Sequence, residues 1–271
     1  MSSSSHRPGG RGVPAPIAAP ALIALVFLVL PLVAMLVRAP WRDLGRLLSQ
    51  SDVMSALRLS LECATAATAI SLLLGIPLAW VLARVRFPGI GVIRALVMLP
   101  LVLPPVVGGI ALLLALGRNG IVGRYLDQWF GVTLPFTMAA VIVAETFVAM
   151  PFLIVSVEGA LRASDRDIEE AAVTLGASRF TVFRRITLPG VAPSIAAGAV
   201  LCWARALGEF GATITFAGNF PGTTQTMPLK IYEAFQLNPQ ASVALGLVLL
   251  CVAVAVLTAL RGQWLRGAVV P

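Results

Sequence analysis

The residue types that usually carry catalysis are almost missing from this chain. There is one histidine, His6, and three cysteines, Cys63, Cys202 and Cys251, with no C-x-x-C spacing among them. No H-E-x-x-H zinc site and no Ser-His-Asp triad can be built from that set. The cysteines fall inside apolar runs and read as small buried hydrophobes. No G-x-x-x-x-G-K-[ST] phosphate loop occurs, so the chain is not expected to hydrolyse ATP itself. Three features remain. Arg205 and Glu209 stand four apart, the spacing that lets two charges pair on one helix face. Glu62 and Glu145 are carboxylates in apolar runs, with Glu145 the deeper of the two. Residues 169–189, "EEAAVTLGASRFTVFRRITLP", form a charged, glycine-punctuated segment in an otherwise apolar chain.

The elements that position these residues follow from composition. Of the 271 residues, 58% are hydrophobic and 12% charged. Soluble domains carry about 25% charged residues, so the chain reads as an all-α integral membrane protein. The net charge of +8 fits basic residues that orient membrane helices and gives no reason to invoke nucleic acid. A span needs roughly 20 apolar residues. Six runs qualify: 17–37, 59–82, 95–116, 134–157, 188–217 and 241–260. The fifth is long enough to bend or break. With six spans, one side collects 12 Lys and Arg residues and the other 7. The excess predicts that both termini and the 163–189 segment are cytoplasmic. The Ser/Gly/Pro-rich tail 1–16 reads as disordered.

Within the charged segment, Ser164 to Asp167 is spaced as a capping box, and Asp165, Asp167, Glu169 and Glu170 favour a helix start. Gly176 marks the helix stop. A second short helix from Ser178 places Phe180, Phe183 and Ile186 on one face and leads to Leu188-Pro189. Because the first helix is acidic, it does not suit an anionic lipid surface. Ala171, Ala172 and Gly176 would let another protein approach closely.

The pattern Glu170-Ala171-Ala172, three residues, Gly176, nine residues, then Ile186-Thr187-Leu188-Pro189 resembles the cytoplasmic loop of permease subunits in binding-protein-dependent ABC importers. The resemblance implies a type I importer permease fold and a coupling helix seated in a cleft of a separate ATPase. It covers roughly 57–261. The implied layout is a tail (1–16), a first helix with an external loop (17–56), a permease domain (57–262) and a cytoplasmic tail (263–271).

Residues 204–236, "ARALGEFGATITFAGNFPGTTQTMPLKIYEAFQ", together with "LPLVLPPVVGG" at 99–109, look like the molybdate/tungstate permease group. Sulfate/thiosulfate permeases share the R-x-L-G-E-[FY]-G core and stand as the alternative; an ATP-independent transporter or channel would leave the 170–189 pattern idle. The implied assembly is a pair of permeases, a homodimer in the simplest case, on two ATP-binding subunits in the bacterial inner membrane. An extracytoplasmic molybdate-binding protein would feed it, and ATP and Mg would be used by the partner, with no cofactor on this chain.

Candidate path or gate residues are Pro104, Pro105, Gly108, Glu145, Arg205, Glu209 and Gly211. Prolines at membrane depth free backbone donors that must be satisfied inside protein or a water-lined cavity. The Arg205–Glu209 pair either neutralises itself to lock packing or lines the path. One arginine cannot supply the donors that a tetrahedral dianion needs, so selectivity is expected in the external binding protein.

Overall fold

A computed structural model describes the backbone of residues 15–267; the 1–14 part of the tail and residues 268–271 lie outside the described residues. The described elements are helical: α1 (Ala15–Arg38), α2 (Leu44–Leu48), α3 (Ser51–Arg84), α4 (Ile90–Val102), α5 (Pro105–Leu116), α6 (Gly123–Phe130), α7 (Met138–Ala163), α8 (Asp167–Thr174), α9 (Arg179–Val182), a π-helical turn (Phe183–Thr187), α10 (Leu188–Leu207), α11 (Gly211–Phe216), α12 (Met227–Leu237) and α13 (Pro239–Gly267). Five stretches are long and apolar enough to cross a membrane, and α4 with α5 make a sixth if that bent pair is one span.

Packing settles the sixth span. At one end, Arg84 and Ala83 of α3 meet Ser164 and Arg166 just beyond α7. At the other end, Leu59 and Cys63 of α3 share a cluster with Ala140, Val141 and Ala144 of α7. These two helices therefore run parallel, and the chain between them must cross the membrane once. Arg94 of α4 bonds Glu158 near the first end, while Leu112 of α5 packs into the cluster at the second. The pair α4–α5 is thus one crossing, despite a bend of 118° between its halves. The bend falls at Leu103-Pro104, where Pro104 caps α5 and Pro105 opens it. Proline fixes its own φ and disfavours helix at the residue before it.

The remaining directions follow. Helix α10 leaves the first end and α13 returns to it, since Leu245 of α13 packs with Val53 and Ala56 of α3 at the second end. The side of a Cβ placed on Gly246 would lie 3.1 Å from Met35 of α1, so the C-terminal end of α1 is at that second end too. The described beginning of α1 and the end of α13 consequently share the side that carries residues 163–189.

Small residues bring the central helices together. Ala64, Ala67, Ala149, Cys202 and Ala206 are buried between α3, α7 and α10, with Leu153, Ile154 and Val157. A Cβ on Gly198 would sit 3.0 Å from both Leu153 Cδ1 and Ser156 Cβ, so α10 approaches α7 at glycine distance. Helix α1 has no buried residue in its apolar window and lies at the edge of the bundle.

Four local expectations change. The boundary at 56/57 cuts through α3, which starts at Ser51 and already buries Val53 and Ala56. The tail expected at 263–271 is helical to Gly267. The helix from Ser178 is not separate: it passes through the π turn directly into α10, giving one span over Arg179–Leu207. The fifth span stops earlier than 217, because the helix breaks between Leu207 and Gly211.

Candidate functional site

The 163–189 segment is held to the membrane bundle by one charged clamp. Arg84, at the last turn of α3, donates to Glu169 Oε1 at 2.8 Å and to Ser164 Oγ at 2.8 Å. Glu169 also accepts from Thr187 Oγ1 at 3.1 Å. The clamp is well shielded, with side-chain exposures of 7% for Arg84 and 18% for Glu169. Charge-assisted bonds of this kind are shorter and stronger than neutral ones. It ties α8 to the end of α3 and to the start of the α10 span. A force on α8 therefore has a direct route into two membrane helices.

Beside it, Glu158 of α7 is 5% exposed in its side chain and accepts from Arg94 Nε at 2.8 Å and Arg162 Nε at 2.9 Å. Both arginines also reach the Leu82 carbonyl oxygen. This second knot fixes α4, α3 and α7 at the same end.

Helix α8 ends as Gly176 predicts. Gly176 has φ +90°, its N–H bonds the Val173 carbonyl, and the Ala177 N–H bonds the Ala172 carbonyl. That pairing is a Schellman motif with glycine in its left-handed position. The start differs from the expected capping box. Ser164 is spent on Arg84 and the Leu161 carbonyl, and Asp165 Oδ1 instead accepts from the Asp167 N–H at 3.0 Å. The tertiary partner Arg84 outcompetes the local cap.

The outer surface of this segment is apolar. Ile168, Val173, Leu175 and Phe180 are exposed, Leu175 by 88%. Glu170, Ala171, Gly176 and Pro189 are exposed beside them, while Ala172, Ile186 and Leu188 are half-buried. The sequence reading picked out the small residues and missed Ile168, Leu175 and Arg84–Glu169. Isolated apolar residues in a short acidic helix, read at helical spacing, were the signal for the first two. No local pattern could pair residues 84 and 169.

A second cluster lies at membrane depth. Glu209 is 1% exposed and sits in the break between α10 and α11. Its Oε2 forms an ion pair with Arg205 at 2.5 Å, a contact without hydrogen-bond alignment. Its Oε1 accepts from the Ala212 N–H at 2.8 Å. Glu209 thus neutralises Arg205, as the i, i+4 spacing allows, and also caps α11, a second role that the spacing does not show. Glu145 on α7 is 1% exposed, and its Oε2 has no partner among the described residues. Its chain neighbour Ala144 packs in one cluster with Ala212 of α11.

The proline and glycine candidates join this cluster. A Cβ on Gly211 would lie 2.9 Å from Pro105 Cβ and 3.0 Å from Val106 N. One on Gly108 would lie 3.2 Å from Phe147 of α7. Gly109, which with Gly108 interrupts the third apolar run, is tighter still: its Cβ would be 2.7 Å from the Ala212 carbonyl oxygen. Pro104 and Pro105 are exposed, next to exposed Val106, Ile110 and Leu114. Gly208 flanks Glu209 on the other side from Gly211, the position for a matching packing role. It does not fill that role, since its nearest neighbour would be the Ala204 carbonyl oxygen at 3.6 Å. Glu62 stands apart, paired with Arg58 at 2.6 Å on an exposed surface.

After α11 the chain surfaces at residues 220–223 and then turns back inside. Thr224, Gln225, Thr226 and Met227 are buried, and the Met227 N–H bonds Ser60 Oγ of α3 at 2.7 Å. Gln225 Nε2 bridges Asn219 Oδ1 and Glu233 Oε2. Among the described residues no group of His, Cys, Asp and Glu could hold a metal ion.

An exposed helix–glycine–helix segment, anchored by ion pairs to parallel membrane spans, has a counterpart among known proteins. Residues 75–267 match the binding-protein-dependent transport system inner membrane component family. The chain belongs to that family.

It is 49% identical over 237 residues to the molybdenum transport system permease protein ModB of Mycobacterium tuberculosis, covering 88% of this chain and 89% of that protein. It is 43% identical over 210 residues to ModB of Escherichia coli K12, covering 78% and 92%. The sulfate transport system permease protein CysT of Salmonella typhimurium is 35% identical over 218 residues, covering 79% and 78%. Among solved structures, a bacterial ABC transporter involved in alginate import superposes with a TM-score of 0.74 at 20% identity, covering 93% and 94% of the two chains. That likeness shows the fold alone: the all-α fold of a chain of that importer.

Proposed function

We propose that this chain is the membrane-spanning permease subunit of an ABC importer that passes molybdate into the cell, driven by ATP hydrolysis in a separate subunit. The observation that carries the reading is the exposed 168–180 surface, apolar and glycine-stopped, clamped through Arg84–Glu169–Thr187 to the spans that must move. The substrate rests on identity, which is higher to the molybdenum permeases than to the sulfate permease.

The α8 surface docks two ATP-binding subunits, one under each of two permease copies. ATP and Mg belong to those subunits. The exposed α5 face at Pro104, Pro105, Val106 and Ile110 flanks the Arg205–Glu209 pair, and a second copy of this chain closes the path against it. An extracytoplasmic molybdate-binding protein delivers the anion. The 12-to-7 Lys and Arg bias supports placing both termini and α8 in the cytoplasm.

Two experiments test the reading. The complex, co-produced with its ATPase and binding protein in proteoliposomes, is expected to take up molybdate when ATP is supplied. Excess sulfate should not compete. Sulfate uptake with molybdate excluded would assign the chain to the sulfate class instead. For orientation, single cysteines at Ser178 and Thr223, in a background lacking Cys63, Cys202 and Cys251, are exposed to an impermeant thiol reagent on intact cells. Labelling at Thr223 alone is expected; labelling at Ser178 overturns the topology.

A further inference from the structure

Between α8 and the end of α3, with Val173 at its edge but not Ile168, Leu175 or Phe180, lies a cavity of about 590 Å³. Its wall includes Arg84, Arg86, Arg166 and Arg179, with Trp80 and Phe183 at one side. Glu169 and Glu170 also line it, so four guanidinium groups face two carboxylates and an excess of positive charge is left. Glu169 is already committed to Arg84 and Thr187.

The arginines are not consumed by protein partners. Arg84 Nη2 serves Glu169 and Ser164, but its Nε and Nη1 are buried without any acceptor. Buried donors left unpaired cost free energy, so native structures rarely keep them. Arg166 gives one bond to the Ala83 carbonyl oxygen. Arg86 and Arg179 make no ion pair and no side-chain hydrogen bond among the described residues. Placement completes the picture. Trp80 is one turn before Arg84 and packs edge-on against Phe183 at 6.0 Å. Trp at the end of a span marks the depth of the lipid headgroups.

We propose that this cavity binds a phosphate-class oxyanion, either the headgroup of an anionic phospholipid or the free ion. Guanidinium forks match phosphate oxygens in geometry as well as charge, and basic pockets between membrane helices are known seats for anionic headgroups. The bound group would supply acceptors to Arg84, Arg86 and Arg179 at once. It would stiffen the junction of α3, α8 and the α10 span while leaving Ile168, Leu175 and Phe180 free. The site is separate from the Arg205 cluster: the cavity reaches Thr187 at the start of α10, and Arg205 stands at the opposite end of that helix.

The test reads arginine protection directly. The full chain, with and without its ATPase, is placed in phosphatidylcholine nanodiscs and treated with phenylglyoxal. Modification of Arg86 and Arg179 is then quantified by peptide mass spectrometry. Phosphatidylglycerol added to the disc, or inorganic phosphate in the buffer, should slow modification at both sites on the order of tenfold. Arg46, exposed on the opposite side, should be unaffected. Protection by the lipid alone assigns a headgroup; protection by both assigns the oxyanion itself. No protection by either, or equal protection of Arg46, overturns the proposal. Protection that needs the ATPase regardless of lipid overturns it too, because the arginines would then belong to the docking interface. Arg166, exposed on the same wall, should show the same protection, and R86Q/R179Q, which leaves the Arg84–Glu169 clamp in place, should abolish it at unchanged yield. Retained protection in that variant also counts against the site. Transport is not needed for any readout, so failure here is distinguishable from failure of the importer reading.

Discussion

Gly176 and Gly211 stand in the two regions that matter most, and they are glycines for different reasons. Around Gly176 a Cβ would meet nothing within 4 Å, but φ is +90°. Around Gly211 the backbone is within reach of any residue, but a Cβ would press on Pro105 and Val106. The first glycine shapes a surface that waits for a partner. The second permits two helices to touch. One region is conformationally demanding and sterically free, the other the reverse, so their variants should fail in different assays.

The largest effect is expected at the buried pair. Arg205→Gln leaves Glu209 charged and unpaired at 1% exposure, and breaking a buried pair this way costs about 3–5 kcal/mol. Folded yield, followed by fluorescence size exclusion, should collapse. Arg205→Gln with Glu209→Gln removes both charges and should recover most of it. If the double variant folds and binds the ATPase yet fails to take up molybdate, the pair lines the path. Near-normal uptake would leave it a packing device.

Next comes Gly211→Ala, an overpacking change with a typical cost of about 1–3 kcal/mol. The thermal midpoint in detergent should fall while attachment of the ATPase to the surviving protein stays normal. Gly176→Ala places a side chain in the left-handed region, at about 1–2 kcal/mol, borne by α8 alone. Here co-purification of the ATPase should drop at nearly unchanged permease yield. A yield loss at Gly176 equal to that at Gly211 would erase the contrast.

Smaller again for the isolated chain is Leu175→Ser, together with Glu170→Lys. Both positions are exposed, and surface changes usually stay within about 0.5 kcal/mol. Pull-down of the ATPase should nonetheless weaken for both. Unchanged pull-down would remove the docking role from this surface.

The two regions also differ in how far the sequence could be read. The docking segment was legible because its constraints are local. A glycine five residues after Ala171 and an I-x-L-P run must occur at fixed spacing for one helix to stop and the next span to start. The membrane-depth cluster showed its residue types, since charge and proline stand out among apolar neighbours. Its geometry did not show. The i, i+4 spacing of Arg205 and Glu209 predicts their pairing, and the length of the run allows a break, but neither places that break at 208–210. Glu209 turns back to cap α11, an arrangement made affordable by Pro105 and Gly109 packing against that short helix.

Composition alone determined the class, because 12% charged residues cannot cover a soluble surface. Hydropathy determined the spans, and the 170–189 spacing determined the family resemblance. Only the tertiary structure decided that the 95–116 span bends by 118° between α4 and α5, that Ser164 serves Arg84 and not a capping box, and that Arg84 meets Glu169 across 85 positions of sequence. The physical reason is the same each time. Propensity and spacing act over one or two helical turns, whereas a buried charge takes whatever partner the fold brings within bonding distance, however far along the chain it lies.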